Sequence, residues 1–267
     1  MPAGTVPGGR AGGASRPRVV AHRGNSAVAP QNTRAAFESA ARAGADALEI
    51  DVRLTADGEV VVIHDETVDA TTSGSGKLAD LELREVRLLD AGSWFSSAYA
   101  GQRVPTFAEV VDLLRRHPGL DLLLEVKGVW SAREARRVTE PLRAAGLADR
   151  TVAQSFWPET VAALRSADPG LRRGLLVTGA RDDLVARCRD LDVVMCNPQG
   201  TVLRDDPDVV ARLHDAGLAT AVWTLNEPAH WAAAVALGVD EIITDRPDRL
   251  AGWLDGVHQD ASGGAGA

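Results

Sequence analysis

Eight short β-rich runs, each followed by a stretch of helical periodicity, constrain this chain more than any other feature. The runs are "RVVAH" (18–22), "ALEIDV" (47–52), "LDLLLEVK" (120–127), "TVAQSF" (151–156), "RRGLLV" (172–177), "DVVMCN" (192–197), "ATAVWTL" (219–225) and "DEIITD" (240–245). Helices are expected to start near Asn32, Thr106, Ala132, Pro158, Arg181, Pro207, Pro228 and Pro247. Several open on proline, whose missing N–H costs nothing in a first helical turn. Alternating strands and helices put neighbouring strands parallel. Eight such pairs in 267 residues fit an α/β fold of the closed (β/α)8 TIM-barrel type better than an open sheet.

The rhythm breaks once. After the second strand the chain runs through "EVVVIHDETVDATTSGSGKLADLELREVRLLDAGSWFSSAYAGQRVP" before the next helix, far beyond the roughly 2 to 6 residues of a βα connection. "EVVVIH" reads as a further strand folding back on strand two. Residues 66–104 read as a small insertion covering the barrel mouth. The barrel itself is assigned to residues 18–255. The Gly-, Pro- and Ala-rich residues 1–17 are expected to be a disordered lead-in and residues 256–267 a disordered tail.

Totals narrow the function. A formal net charge of −8 argues against a nucleic-acid groove, because phosphate backbones are held by basic patches. No run approaches the roughly 18 apolar residues of a membrane span, and the N-terminus lacks the apolar core of a secretory signal. A cytoplasmic protein without stable membrane association is expected. Cys188 and Cys196 match neither a disulfide framework nor a zinc motif and read as reduced core residues. Oligomeric state is left open.

Chemistry is concentrated where apolar strands end. Side chains alternate along a strand, so Glu49 and Asp51 share one face while Leu48, Ile50 and Val52 take the other. Glu125 and Lys127 in "LLLEVKG" repeat that one-residue gap. Like charges crowded in a partly buried place cost several kcal/mol unless protons or a cation neutralise them. Three carboxylates at strand ends therefore suit one divalent cation with hard-oxygen preference, Mg²⁺ or Ca²⁺, with Mn²⁺ a third candidate. His22 and His64 each end an apolar strand and suit proton transfer near neutral pH. Arg23 and Lys127 offer positive charge to an anion, and Lys127 is one of only two lysines.

At these residues the sequence resembles the glycerophosphodiester phosphodiesterase family. The matching stretches are "AHRGNSAVAPQNTRAAF", "ADALEIDVRLTADGEVVVIHDETVDATTSGSG", "LLDAGSWF", "VPTFAEVVDLL", "LLLEVKG", "AQSF", "VWTLN" and "IITDRPD", in the family's order from about Arg18 to Leu254. The resemblance implies a barrel with one insertion and metal-dependent hydrolysis of a small-molecule glycerophosphodiester to sn-glycerol 3-phosphate and an alcohol. It implies that His22 and His64 are the acid–base pair, that Glu49, Asp51 and Glu125 hold the metal, and that Arg23 and Lys127 lie near the phosphate, with Trp223 shaping the pocket.

Two positions depart from the family pattern. "PQNT" places Gln31 where a glutamate is usual, and "DATTSGSG" places Ala70 where arginine is frequent. An amide keeps a hydrogen bond but brings no negative charge. Two other readings keep the fold: a lysophospholipase D-like lipid hydrolase, and a barrel that binds a phosphodiester without turning it over.

Overall fold

The structure, a computed structural model, describes residues 16–263. Among these, one sheet contains β1 (Arg18–His22), β2 (Ala47–Leu54), β3 (Val60–Val62), β4 (Asp121–Val126), β5 (Thr151–Ser155), β6 (Arg172–Val177), β7 (Met195–Pro198), β8 (Ala221–Val222) and β9 (Glu241–Thr244). Strand order is β7-β6-β5-β4-β2-β1-β9-β8, all parallel, with β3 pairing antiparallel to β2 outside this path. Parallel bridges Met195–Ala219 and Gln199–Trp223 join β7 to the segment around β8, so the barrel closes. These eight parallel strands occupy the eight runs expected from sequence.

The period of two along each strand sorts side chains between two cores. Leu48, Ile50 and Val52 of β2 and Leu122, Leu124 and Val126 of β4 face outward into a cluster with Phe37, Val110 and Val138 of the helices. The other face points into the barrel, where Val20, Ala47, Leu123, Val152, Met195, Ala221 and Ile243 pack together as a filled interior. Glu49, Asp51 and Glu125 stand on this inward face, on strands that cannot leave the core.

Local signals set the helix starts. Helices Phe107–Arg116 and Ala132–Ala144 open on reciprocal caps, Thr106 with Glu109 and Ser131 with Glu134, and helices Pro158–Ala167, Pro228–Ala236 and Pro247–Gly263 open on proline. The seventh helix differs from expectation. It is two short helices, Gly200–Asp205 and Val209–Asp215, on either side of Pro207. Proline removes a donor and forces Asp206 out of the helical region, to φ −145°, so the first helix cannot run into the second.

The chain ends also differ. The last helix runs through Gly263, so residues 256–263, assigned to the tail from sequence, lie in helix. Leu250, Trp253, Leu254 and Val257 keep the i, i+3, i+4, i+7 spacing of an apolar stripe past residue 255, and Leu250 and Leu254 are buried. Arg16, placed in the lead-in, pairs with Asp255 at 3.2 Å. The remainder of the expected disordered ends, 1–15 and 264–267, lies outside the described residues.

After β3 the chain forms a satellite with its own small core of Val61, Ile63, Val68, Leu78, Val86, Ala91 and Val104. It packs beside the barrel: the Tyr99 hydroxyl donates to the Val28 carbonyl at 2.7 Å, and Gln102 Oε1 accepts from the Ala35 N–H at 3.4 Å. No helix among the described residues is long and apolar enough to cross a membrane.

Candidate active site

Strand register decides which polar side chains meet at the C-terminal end of the barrel. His22 of β1 pairs with Glu49 of β2, Asp51 with Glu125 of β4, and Glu125 with Gln154 of β5. One carboxylate oxygen from each of Glu49, Asp51 and Glu125 lies within 4.8 Å of the other two, and all three side chains are buried. Two cations stand against them. Lys127 Nζ is 3.0 Å from Asp51 Oδ1 and 2.6 Å from Glu125 Oε1, and Arg23 Nε is 3.1 Å from Asp51 Oδ2.

The chain turns sharply to place Arg23. Arg23 has φ +56° and Gly24 φ +85°, and a Cβ on Gly24 would fall 2.6 Å from the Ala36 backbone carbon, so only glycine fits. In this turn the Arg23 N–H donates to Glu49 Oε2 at 3.1 Å, and its guanidinium donates to Gln31 Oε1 at 2.6 Å. Gln31 thus steadies Arg23 without neutralising it. Asn32 Nδ2 donates to Asp51 Oδ2 at 2.8 Å.

Electrostatics divide the trio. Burial would raise the Asp51 carboxyl, but Arg23 and Lys127, with His64 and the Asn32 hydrogen bond, outweigh it and hold Asp51 well below the usual range. For Glu49, burial and then repulsion from Asp51 and Glu125 push the carboxyl well above that range. Burial, followed by Asp51, carries Glu125 up to about 7. Fully ionised, the three carboxylates would exceed the two cations by one negative charge, and the raised Glu49 and Glu125 carboxyls express that excess. Asp51 Oδ1 and Glu125 Oε1 are also buried without a well-directed hydrogen-bond donor, despite the nearby ammonium. Such a donor set of hard oxygens fits a divalent cation.

Both histidines are held through Nδ1, which leaves Nε2 as the free ring nitrogen. His22 Nδ1 is 2.7 Å from Asp245 Oδ1, which also accepts from Ser26 Oγ at 2.9 Å, while Asp245 Oδ2 accepts from Asn226 Nδ2 at 2.6 Å. Asn226 is itself pinned, its Oδ1 accepting from Thr244 Oγ1 and from the Asp245 N–H. Burial raises the Asp245 carboxyl, yet the His22, Asn226 and Ser26 hydrogen bonds hold it down at about 2. His64 Nδ1 is 2.7 Å from Asp65 Oδ1, and Arg53 Nε donates to the His64 carbonyl at 2.7 Å. Burial, more than it is opposed by Asp51, lowers the His64 pKa and favours the neutral ring.

These groups surround one cavity of about 240 Å³. His22, Arg23, Glu49, His64, Glu125 and Lys127 form its polar side; Phe156, Leu176, Trp223 and Ile243 form an apolar side. Trp223 is fixed by its Nε1–H on the Asn197 carbonyl at 2.9 Å and by an edge contact with Phe156 at 5.5 Å. Asp51 lies wholly buried and outside the cavity lining. The other seven residues singled out from sequence all line it. Thr71, Thr72, Ala91 and Val104 line a separate small cleft with Gln31, Asn32 and His64, while the cavity wall itself holds no residue of the insertion, 66–104. Ala70 is exposed within it.

Sequence reasoning passed over Asp245, Asn226, Asn32 and Gln154. Asp245 stands at the end of a strand, "EIIT", as His22 and His64 do, but only Ile242 and Ile243 of that strand are apolar, so the signal is weaker. Gln154 breaks the apolar character of β5 as Glu49 does that of β2. Asn32 and Asn226 sit in loops, where asparagine is also ordinary turn chemistry.

Known proteins share this sequence pattern and this fold. The model of the glycerophosphoryl diester phosphodiesterase family matches residues 22–249. A glycerophosphodiester phosphodiesterase of Caldanaerobacter subterraneus subsp. tengcongensis is 34% identical over 87% of this chain and 95% of its own. The crystal structure of a glycerophosphodiester phosphodiesterase from Agrobacterium tumefaciens superposes with a TM-score of 0.77 at 30% identity, covering 88% of this chain and 99% of that one. The structure of a phosphodiesterase from Oleispira antarctica in complex with the product sn-glycerol-3-phosphate gives a TM-score of 0.84 at 28% identity, covering 90% and 97%. The chain belongs to the glycerophosphoryl diester phosphodiesterase family and is an enzyme of that class, a phosphoric diester hydrolase.

Proposed function

We propose that this enzyme hydrolyses small glycerophosphodiesters to sn-glycerol 3-phosphate and an alcohol, with Glu49, Asp51 and Glu125 holding one Mg²⁺ or Ca²⁺ and His22 and His64 exchanging the protons. The observation that carries the reading is the meeting of three buried carboxylates, two cations and two carboxylate-backed histidines around a cavity that all of them but Asp51 line. A bound cation would supply Lewis-acid polarisation of a phosphoryl oxygen. Arg23 and Lys127, fixed against Asp51, present positive charge where the phosphodiester's nonbridging oxygens would sit. With Nδ1 engaged, each histidine offers Nε2 to the cavity, one to take a proton from the attacking oxygen and one to return a proton to the departing alkoxide. The neutral ring that burial favours at His64 suits the accepting role. The product complex of the Oleispira relative supports the same substrate class.

The test is release of glycerol 3-phosphate from glycerophosphocholine and glycerophosphoethanolamine by metal-stripped protein with Mg²⁺, Ca²⁺ or Mn²⁺ added back. Metal-restored release is expected. His22→Ala and His64→Ala should each lose about 10²- to 10⁴-fold in turnover; retention of more than about a tenth by both refutes the proton-transfer roles. Choline release from lysophosphatidylcholine alone would shift the reading to a lipid hydrolase, and binding without turnover to a binding barrel.

A further inference from the structure

One buried amide in the cavity has its orientation dictated by the backbone. Asn197, wholly buried on β7, accepts from the Ala221 N–H through Oδ1 at 3.0 Å. A backbone N–H can only donate, so the other end of the Asn197 carboxamide is its NH₂ group. That nitrogen donates to Gln154 Oε1 at 2.7 Å. The Gln154 oxygen is therefore committed to the protein, and its Nε2 is the end left over. Gln154 is 1% exposed and lines the cavity, and Nε2 has no hydrogen-bond partner among the described residues. The site is also built to hold this pair: a Cβ on Gly174 would lie 3.2 Å from Asn197 Nδ2 and 3.4 Å from Gln154 Cβ.

Position around the barrel says what this donor meets. Gln154 follows Glu125 in register, at the boundary between the charged side of the cavity and the apolar side made by Phe156, Leu176, Trp223 and Ile243. The charged side suits phosphate. A single NH₂ donor beside apolar walls suits an alcohol oxygen. We infer that Gln154 Nε2 donates to a hydroxyl of the substrate's glycerol moiety, with Asn197 as the positioning residue that fixes the amide, so that this pair selects a glycerol ester over a bare phosphate ester. The inference rests on the proposed function. Gln154 is almost wholly buried, so a ligand without the hydroxyl forfeits a hydrogen bond at a largely desolvated donor, and the discrimination expected is about 10- to 100-fold.

Two variants separate contact from folding. Gln154→Leu removes the donor but strands Asn197 Nδ2. Asn197→Asp keeps the acceptor for the Ala221 N–H and turns the Gln154 amide around, since a carboxylate there can only accept; an oxygen then faces the cavity with no change in the lining residue. Binding of sn-glycerol 3-phosphate and of inorganic phosphate is measured by calorimetry for the wild-type protein and both variants, alongside thermal unfolding and hydrolysis of glycerophosphocholine. Both variants are expected to weaken glycerol 3-phosphate by about 10- to 100-fold while phosphate changes by less than about threefold. Equal weakening of both ligands places the amide on the phosphate and overturns the inference. Unchanged affinity in a folded Asn197→Asp protein overturns it as well. A wild-type protein that hydrolyses no glycerophosphodiester and binds neither ligand overturns the functional reading beneath it.

Discussion

Replacing Asp245 by asparagine tests the histidine chemistry without touching the cavity wall. In the native protein Asp245 Oδ1 accepts from His22 Nδ1 and Ser26, while Oδ2 accepts from Asn226 Nδ2. Asn226 cannot turn over to accommodate a donor, because its own Oδ1 is held by Thr244 and by the residue-245 N–H. The new carboxamide must therefore keep its oxygen toward Asn226 and direct its NH₂ at His22 Nδ1. A donor there forces the proton of the neutral ring onto Nε2 and forbids the doubly protonated ring. Either role proposed for His22 passes through the imidazolium, so both fail.

The magnitudes differ in a way that identifies the cause. Holding Asp245 at about 2 against a usual value of 3.8 corresponds to about 2–3 kcal/mol of interaction, reduced to about 1–2 kcal/mol because a third of the side chain is open to water. Stability should fall by about that much. Turnover should fall by about 10²- to 10⁴-fold, the contribution of a positioned acid or base and the scale of a wrong-tautomer defect. The assay is kcat and kcat/KM for glycerophosphocholine across pH, with the His22 tautomer read from imidazole nitrogen chemical shifts. A variant keeping more than a tenth of kcat, or one whose loss follows its loss of stability, refutes the reasoning.

Other outcomes follow from the same contacts. The Asp245 carboxyl has a folded pKa below its unfolded value, so its contribution to stability is complete above about pH 4 and disappears as pH falls through about 2; denaturant titrations should show this acid limb in the wild type and a shallower one in Asp245→Asn. Adding the preferred cation to metal-stripped protein at about 100 times its dissociation constant should stabilise it by about 2.7 kcal/mol, and Glu49→Gln should lose most of that gain; an unchanged metal titration would remove Glu49 from the ligand set. Gly24→Ala should cost at least about 1–3 kcal/mol and displace Arg23, since its Cβ collides with the Ala36 backbone at a left-handed φ; circular dichroism melts and the KM for substrate report the two effects. Gly174→Ala should raise KM with little change in kcat, because its methyl crowds the Gln154–Asn197 amide pair from below the cavity.

Much of the molecule is determined by short-range sequence alone. The eight strands and their alternation with helices are visible because apolar runs bounded by turn residues have few other ways to bury themselves, and because caps and prolines such as Thr106, Ser131 and Pro158 act within one turn. The one-residue gaps Glu49–Asp51 and Glu125–Lys127 place each pair on a common strand face before any partner strand is known. Only the closed barrel decides the rest. Asp245 reaches His22 across 223 residues, the orientation of Gln154 is set through Asn197 by an N–H of the next strand, and the insertion docks on the barrel through Tyr99 and the Val28 carbonyl. Each depends on register, closure and packing between distant segments, and hydrogen-bond direction acquires meaning only when donor and acceptor have met in space.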